Sequence, residues 1–251
     1  MSMQTTIDSL IVQPESLLRF PICRDFRLST DRLAKMRSLI AFISLFILEP
    51  SGVLARERPP KAPINIVFGL DPGPGKYDGV VGKPKHKWNF VDVGMTRLDA
   101  LKGSKGKKTS IALSMSATDG EWGIKGHEGV FHAYLYHNSR NVDLQVKFEG
   151  LAPGFYKIYV YAHGDHPNQN AKIELDVGNK SYGQKTTLHD GSWAFRSKEL
   201  QEGNQYVTFN FTVTDDDLVC ITSHRDGSAY SMFNAIQILP LKGHRQSRSS
   251  Q

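Results

Sequence analysis

From residue 60 onward, apolar side chains recur with a period of two. Ile64, Ile66 and Phe68 alternate with Asn65 and Val67, and Ile111, Leu113 and Met115 alternate with Ala112 and Ser114. Successive side chains of an extended strand point to opposite faces, so each set predicts one apolar face. Val142, Leu144, Val146 and Phe148 against Asp143, Gln145, Lys147 and Glu149 read as a half-buried antiparallel strand, as do Ile173, Leu175 and Val177 against Lys172, Glu174 and Asp176. Val207, Phe209, Phe211 and Val213 repeat the pattern, and Leu218 to Thr222 and Met232 to Leu239 close the series. No long amphipathic helix is readable after residue 60. Gly150-Leu-Ala-Pro-Gly154, Asp215-Asp-Asp217 and Arg225-Asp-Gly227 supply turn residues between these runs. About eight or nine strands with one apolar face each predict an all-β fold. The expected form is a two-sheet antiparallel β-sandwich or jelly roll, with a closed barrel as the alternative.

The pattern before residue 60 differs. Ser38 to Leu48 is a continuous apolar run behind Lys35 and Arg37, and Pro50, Gly52, Val53 and Ala55 follow it. A short cationic start, an apolar run and small residues before a cut describe an export signal, here 36–55. The run is too short to span a bilayer of about 30 Å as a helix, which predicts no transmembrane span. Met36 is then the expected initiator and 1–35 a non-native or disordered extension. The remaining expectations are a linker at 56–62, a β-sandwich domain at 63–240 and a disordered polar tail at 241–251. The protein is expected to be secreted, periplasmic or held in the cell envelope.

Composition narrows this further. The chain has 251 residues and two cysteines. Cys23 precedes the expected cut, so Cys220 stands alone and no internal disulfide can form. A fold of this kind must be held by packing, and its lack of disulfides fits an exported bacterial protein better than a eukaryotic one. The sequons at Asn179 and Asn210 are then incidental.

Several segments carry a resemblance. Gly150-Leu-Ala-Pro-Gly-Phe-Tyr-Lys-Ile-Tyr-Val-Tyr-Ala-His-Gly-Asp165, Pro167-Asn-Gln-Asn170, Tyr182-Gly183, Glu202-Gly-Asn-Gln-Tyr206-Val207 and Phe233-Asn-Ala-Ile-Gln-Ile238 resemble a jelly-roll family of exported bacterial proteins in the galactose-binding-like class. Ile64 to Gly69 and the Trp88-Asn89 pair resemble its first strand and following loop. The resemblance covers most of 63–239 and implies the fold. It implies no catalytic residue, because one fold hosts many activities. A structural calcium is compatible with the class, although no complete oxygen shell can be nominated. No other cofactor is expected.

Candidate chemistry lies in the aromatic and polar loop residues. Exposed indoles stack on the apolar face of a sugar while amides, carboxylates and imidazoles bond its hydroxyls. Trp88, Asn89, Trp122, His163, Asp165, Asn168, Asn170 and Trp193 are the candidate ligand-binding residues. The competing expectation is that the tryptophans plug the core. His163-Gly-Asp-His166 is the one cluster that suggests a metal, with His127, His189 or His224 as a distant ligand; the plainer reading is a polar loop. Gly-x-Ser-x-Gly and His-Glu-x-x-His are absent; paired carboxylates such as Asp165 with Glu121, or any Asp of Asp215 to Asp217, are the openings for a glycosidase, although the three aspartates read more simply as a hairpin turn.

The formal net charge is +6, with Lys102-Gly-Ser-Lys-Gly-Lys-Lys108 and Lys83, Lys85 and Lys87 concentrating positive charge. The expected partner is therefore a carbohydrate or cell-envelope polysaccharide, acidic in one version, rather than nucleic acid. A non-catalytic binding module leads. The alternatives are a secreted polysaccharide hydrolase or lyase, or a structural envelope protein. The oligomeric state is left open.

Overall fold

The computed structural model describes residues 59–242, except 72, 74–76 and 216. The expected leader, its upstream extension, most of the linker and nearly all of the tail lie outside the described residues. The described residues form fourteen strands: β1 (Ile64–Phe68), β2 (Asn89–Val91), β3 (Arg97–Leu98), β4 (Ala112–Met115), β5 (Gly120–Gly123), β6 (Ala133–His137) and β7 (Leu144–Glu149) come first. They are followed by β8 (Gly154–Tyr161), β9 (Lys172–Val177), β10 (Lys180–Thr186), β11 (Tyr206–Val213), β12 (Val219–His224), β13 (Ser231–Phe233) and β14 (Ala235–Leu241). Only two short 3₁₀ turns interrupt them among the described residues. No helix among those residues is long and apolar enough to cross a membrane.

The fold is a jelly-roll β-sandwich. One sheet runs β11-β8-β14-β1-β2 and the other β10-β9-β12-β7-β4-β3. All pairings are antiparallel except β1 with β2, which run parallel. Periodicity missed a third, small sheet, β13-β6-β5, and the short strands that raise the count above eight or nine. β2, β3, β5 and β13 have two to four residues and little alternation to read, while β10 is exposed along nearly its whole length and so shows no apolar face.

The core is continuous between the two large sheets. Ile64, Ile66, Ile158, Val160, Phe209, Ile236 and Ile238 of the first belong to the same cluster as Leu113, Val146, Phe148, Leu175, Val219 and Ile221 of the second. In β7 and β9 the alternation holds as expected, buried against half-buried or exposed. In β1 it does not, because all five residues are buried. The outer face of the first sheet carries Asn65 opposite Gln237, and both are fully buried.

A buried polar ladder explains this. The Tyr161 hydroxyl donates to Gln237 Oε1 at 2.7 Å, and Gln237 Nε2 donates to Asn65 Oδ1 at 2.9 Å and to the Val81 carbonyl at 2.7 Å. In return the Val80 amide donates to the Tyr161 hydroxyl and the Val81 amide to Gln237 Oε1. Asn65 Nδ2 donates to the Lys87 carbonyl. The segment from Val80 to Lys87 is thus bonded across a sheet face that would otherwise meet water. Buried polar groups are tolerated when they find partners of this kind.

Turn chemistry acts at Gly150, between β7 and β8. Its φ is +76°, and a Cβ there would lie 2.7 Å from the Ser110 carbonyl oxygen. At the far end of the second sheet, His224 sits between two carboxylates, with Nδ1 2.8 Å from Asp143 Oδ2 and Nε2 2.9 Å from Glu174 Oε2. The bond to Asp143, offset in part by burial and reinforced by Glu174, raises the imidazole above its ordinary value.

Two outcomes follow from these positions. Gly150→Ala should destabilise the fold by about 1–3 kcal/mol, since left-handed backbone and a backbone clash combine, and denaturant unfolding measures it. Because the folded-state value of His224 lies above the unfolded one, its contribution is complete below the ordinary histidine range and is lost as pH rises through the folded value. The difference in urea midpoint between the wild type and His224→Asn should therefore be largest at acidic pH and shrink toward alkaline pH.

Candidate functional site

Two loop regions form the walls of a cleft of about 970 Å³. One wall is the turn around Gly129–Phe131, and the other is the 195–205 segment. Gly129 adopts φ +68°, and its Cα lies so close to Asp78 that a Cβ would come within 3.2 Å of the Asp78 backbone. Glycine is required to close that wall.

Phe195 lines the cleft and belongs to an aromatic stack that continues beside it. The ring of His163 stacks on Phe195 with centroids 4.1 Å apart and planes at 14°, and Phe195 stacks on Trp193 at 5.6 Å. Phe195 is buried, whereas Trp193 is 51% exposed. Arg196 lies over the Trp193 ring at 4.9 Å and donates from Nη2 to Asp165 Oδ1. His166 lies 5.3 Å from Trp193 on the same rim. Burial, together with the Arg196 charge, holds the His127 imidazole below its ordinary value, with Asp165 opposing. The result is an indole beside a guanidinium, a carboxylate and a neutral imidazole, which is what gripping an amphipathic, hydroxyl-rich ligand requires.

The candidate residues divide by burial. Trp193 and Asp165 meet at this rim through Arg196. Asn168 is exposed on the loop that follows. His163 and Asn170 are fully buried and present no surface to a ligand, a correction to their expected exposure. The Nδ1 of His163 faces the Gly164 carbonyl and Nε2 the Leu188 carbonyl; burial holds the ring well toward its neutral form. Asn170 Nδ2 donates to Asp226 and Thr186. Asn89 is buried as well: its Nδ2 donates to the carbonyls of Asn65 and Lys102, and its Oδ1 accepts from the Lys102 amide. The Asn89 amide serves the backbone, and that of Asn170 ties two side chains together, so neither is turned toward a ligand.

The other tryptophans lie apart. Trp88 is half-buried against Tyr77, with ring centroids 5.7 Å apart. Trp122, on β5, is 54% exposed. Its neighbour Glu121 is held above the ordinary carboxylate range by burial and by Asp92, so the pairing of Glu121 is with Asp92 and that of Asp165 is with Arg196. The His163-Gly-Asp-His166 cluster does not converge, since His163 points inward to carbonyls and Asp165 outward to Arg196. Among the described residues no three His, Cys, Asp or Glu side chains gather as a metal site. Cys220 is buried in β12, as its apolar strand predicts.

Phe195 and Arg196 were not anticipated, and His127 was considered only as a distant metal ligand. The signal available for the first two was the Trp193-Ala-Phe-Arg196 run, aromatic residues beside a cation in a Gly- and Ser-rich loop.

No protein-family model matches the chain, and no curated protein matches it. Solved structures do. The YXIM protein of Bacillus subtilis is 16% identical with a TM-score of 0.38, the match covering 72% of this chain and 40% of that one. A CBM35 module from Paenibacillus barcinonensis is 10% identical with a TM-score of 0.32, covering 59% of this chain and 100% of that one. A family 35 carbohydrate-binding module from Clostridium thermocellum is 10% identical with a TM-score of 0.30, covering 51% and 88%. This chain thus spans under half of the Bacillus subtilis protein and nearly the whole of each module.

Proposed function

We propose that this protein is an exported, non-catalytic carbohydrate-binding module whose ligand seat is the rim formed by Trp193, Arg196, Asp165 and His166. One observation carries the reading. Trp193 keeps half its surface in solvent at the edge of the 970 Å³ cleft, stacked behind on Phe195 and flanked by a fixed Arg196–Asp165 pair. A ring held from behind loses little freedom when a sugar settles on it, and preorganised polar neighbours add direction. The apolar leader-like run at 36–55 supports export.

His127 favours a second reading. An imidazole held neutral at the wall of a cleft is a competent general base at neutral pH, which suits a hydrolase or lyase acting on polysaccharide. Asp165 is less apt for such work, because its charge is committed to Arg196.

Glycan-array screening followed by calorimetry on the best binder tests both readings. Binding without release of new reducing ends is expected, and Trp193→Ala should weaken it by at least about tenfold, about 1.4 kcal/mol. Arg196→Ala should weaken it less than Trp193→Ala does, and Trp122→Ala should leave it within about twofold. Polymer turnover that disappears in His127→Ala would replace the binding reading with the enzymatic one.

A further inference from the structure

The lysine-rich segments, far apart in sequence, are built into one surface. The 102–108 segment forms a tight reversal closed by the Lys102–Lys108 bridge, and the Lys87 amide donates to the Ser104 carbonyl at 2.8 Å. The aliphatic stem of Lys87 runs beside Gly106. Asn89 grips Lys102 through both backbone groups, and the Ser104 amide donates to the Pro63 carbonyl. The reversal is therefore anchored to β1 and β2 rather than hanging free.

Lys83, Lys85 and Lys87 are exposed on one side, and Lys102, Lys105, Lys107 and Lys108 on the other. Among the described residues none of them lies within ion-pair distance of a carboxylate. A pocket of about 760 Å³ adjoins the first set, lined by Lys85, His86 and Lys87 together with the rings of Tyr77, Trp88 and Phe90. Its one carboxylate, Asp71, accepts from the Tyr77 hydroxyl and the Gly73 amide. Two buried polar atoms at this junction, Ser104 Oγ and His86 Nδ1, have no hydrogen-bond partner among the described residues.

We infer that this face is a second binding surface, specific for an acidic polysaccharide whose carboxylates or sulfates run along the lysines while a sugar ring enters the Trp88 pocket. Unpaired lysines held at fixed spacing are point charges for a repeating anion, and the aromatic pocket distinguishes a saccharide from a bare polyanion. The choice of a glycan as the polymer rests on the proposed function; the anion selectivity rests on the lysines alone.

The test uses the chain with polygalacturonate as the carboxylate probe, heparin as the sulfate probe, a neutral galactan and a mixed-sequence DNA duplex. Binding to at least one acidic glycan is expected, falling at least tenfold as salt rises from about 0.05 to 0.3 M. Replacing Lys102, Lys105, Lys107 and Lys108 together by Gln should weaken it at least tenfold, with the melting temperature showing that the fold persists. Lys87→Gln alone should weaken it about twofold to fivefold, and Trp193→Ala should leave it unchanged. Loss of neutral-glycan binding in Trp193→Ala with acidic-glycan binding retained separates the two surfaces. The inference is overturned if no acidic glycan binds, if the Gln variant binds as the wild type does, or if DNA binds as tightly as the glycan. A failure of Trp193→Ala to affect any ligand sinks the proposed function and leaves this surface standing.

Discussion

Everything on the outer face of the first sheet depends on a ladder of buried polar side chains, Asn65, Gln237 and Tyr161, that accepts and donates across adjacent strands. A sheet face bearing amides would ordinarily look to solvent. Here the Val80–Lys87 segment supplies the missing partners, and the ladder fixes that segment in return. Such a network has high stakes: fully satisfied it specifies one arrangement, and with one member removed the rest are stranded in low dielectric. Asn89 extends the same logic by one step, tying the parallel strand β2 to β1 and to the reversal that begins at Lys102.

The two proposed binding surfaces are made by different physics. At the Trp193 rim, stacking on Phe195, itself stacked on His163, orients the indole, and burial keeps His163 uncharged within the stack. A charge there would have to be desolvated beneath an aromatic ring. At the lysine face, charge is left uncompensated and exposed, and only the backbone is constrained. A neutral sugar face suits the first arrangement and a repeating anion the second, and the two proposed surfaces share no residue.

Much of the sandwich was legible because β7 and β9 have one face in the core and one in water, and their alternation is therefore honest. The same rule misleads at β1 and β14, where Asn65 and Gln237 read as solvent-facing but are covered by a segment with no periodicity of its own. The site was legible in part. Trp193 and Asp165 stand out as residue types, but Arg196 joins them only because the fold brings positions 165 and 196 together, which local spacing cannot show. His163, Asn170 and Asn89 share the residue types of a binding loop, yet His163 and Asn89 bond backbone and Asn170 bonds the Thr186 and Asp226 side chains; type alone does not separate a ligand contact from a buried clamp. The lysine segments were visible as charge, while their union required the Lys87–Ser104 bond.

Hydrogen–deuterium exchange on the wild type and on Gln237→Leu addresses the ladder most directly. If the ladder anchors the crossing segment, the amides of Val80 and Val81 are protected in the wild type. They become fast in the variant, while those of β7, β9 and β12 stay slow. Wild-type amides at Val80 and Val81 that exchange at open-loop rates, or protection there that survives the loss of Gln237, would contradict it.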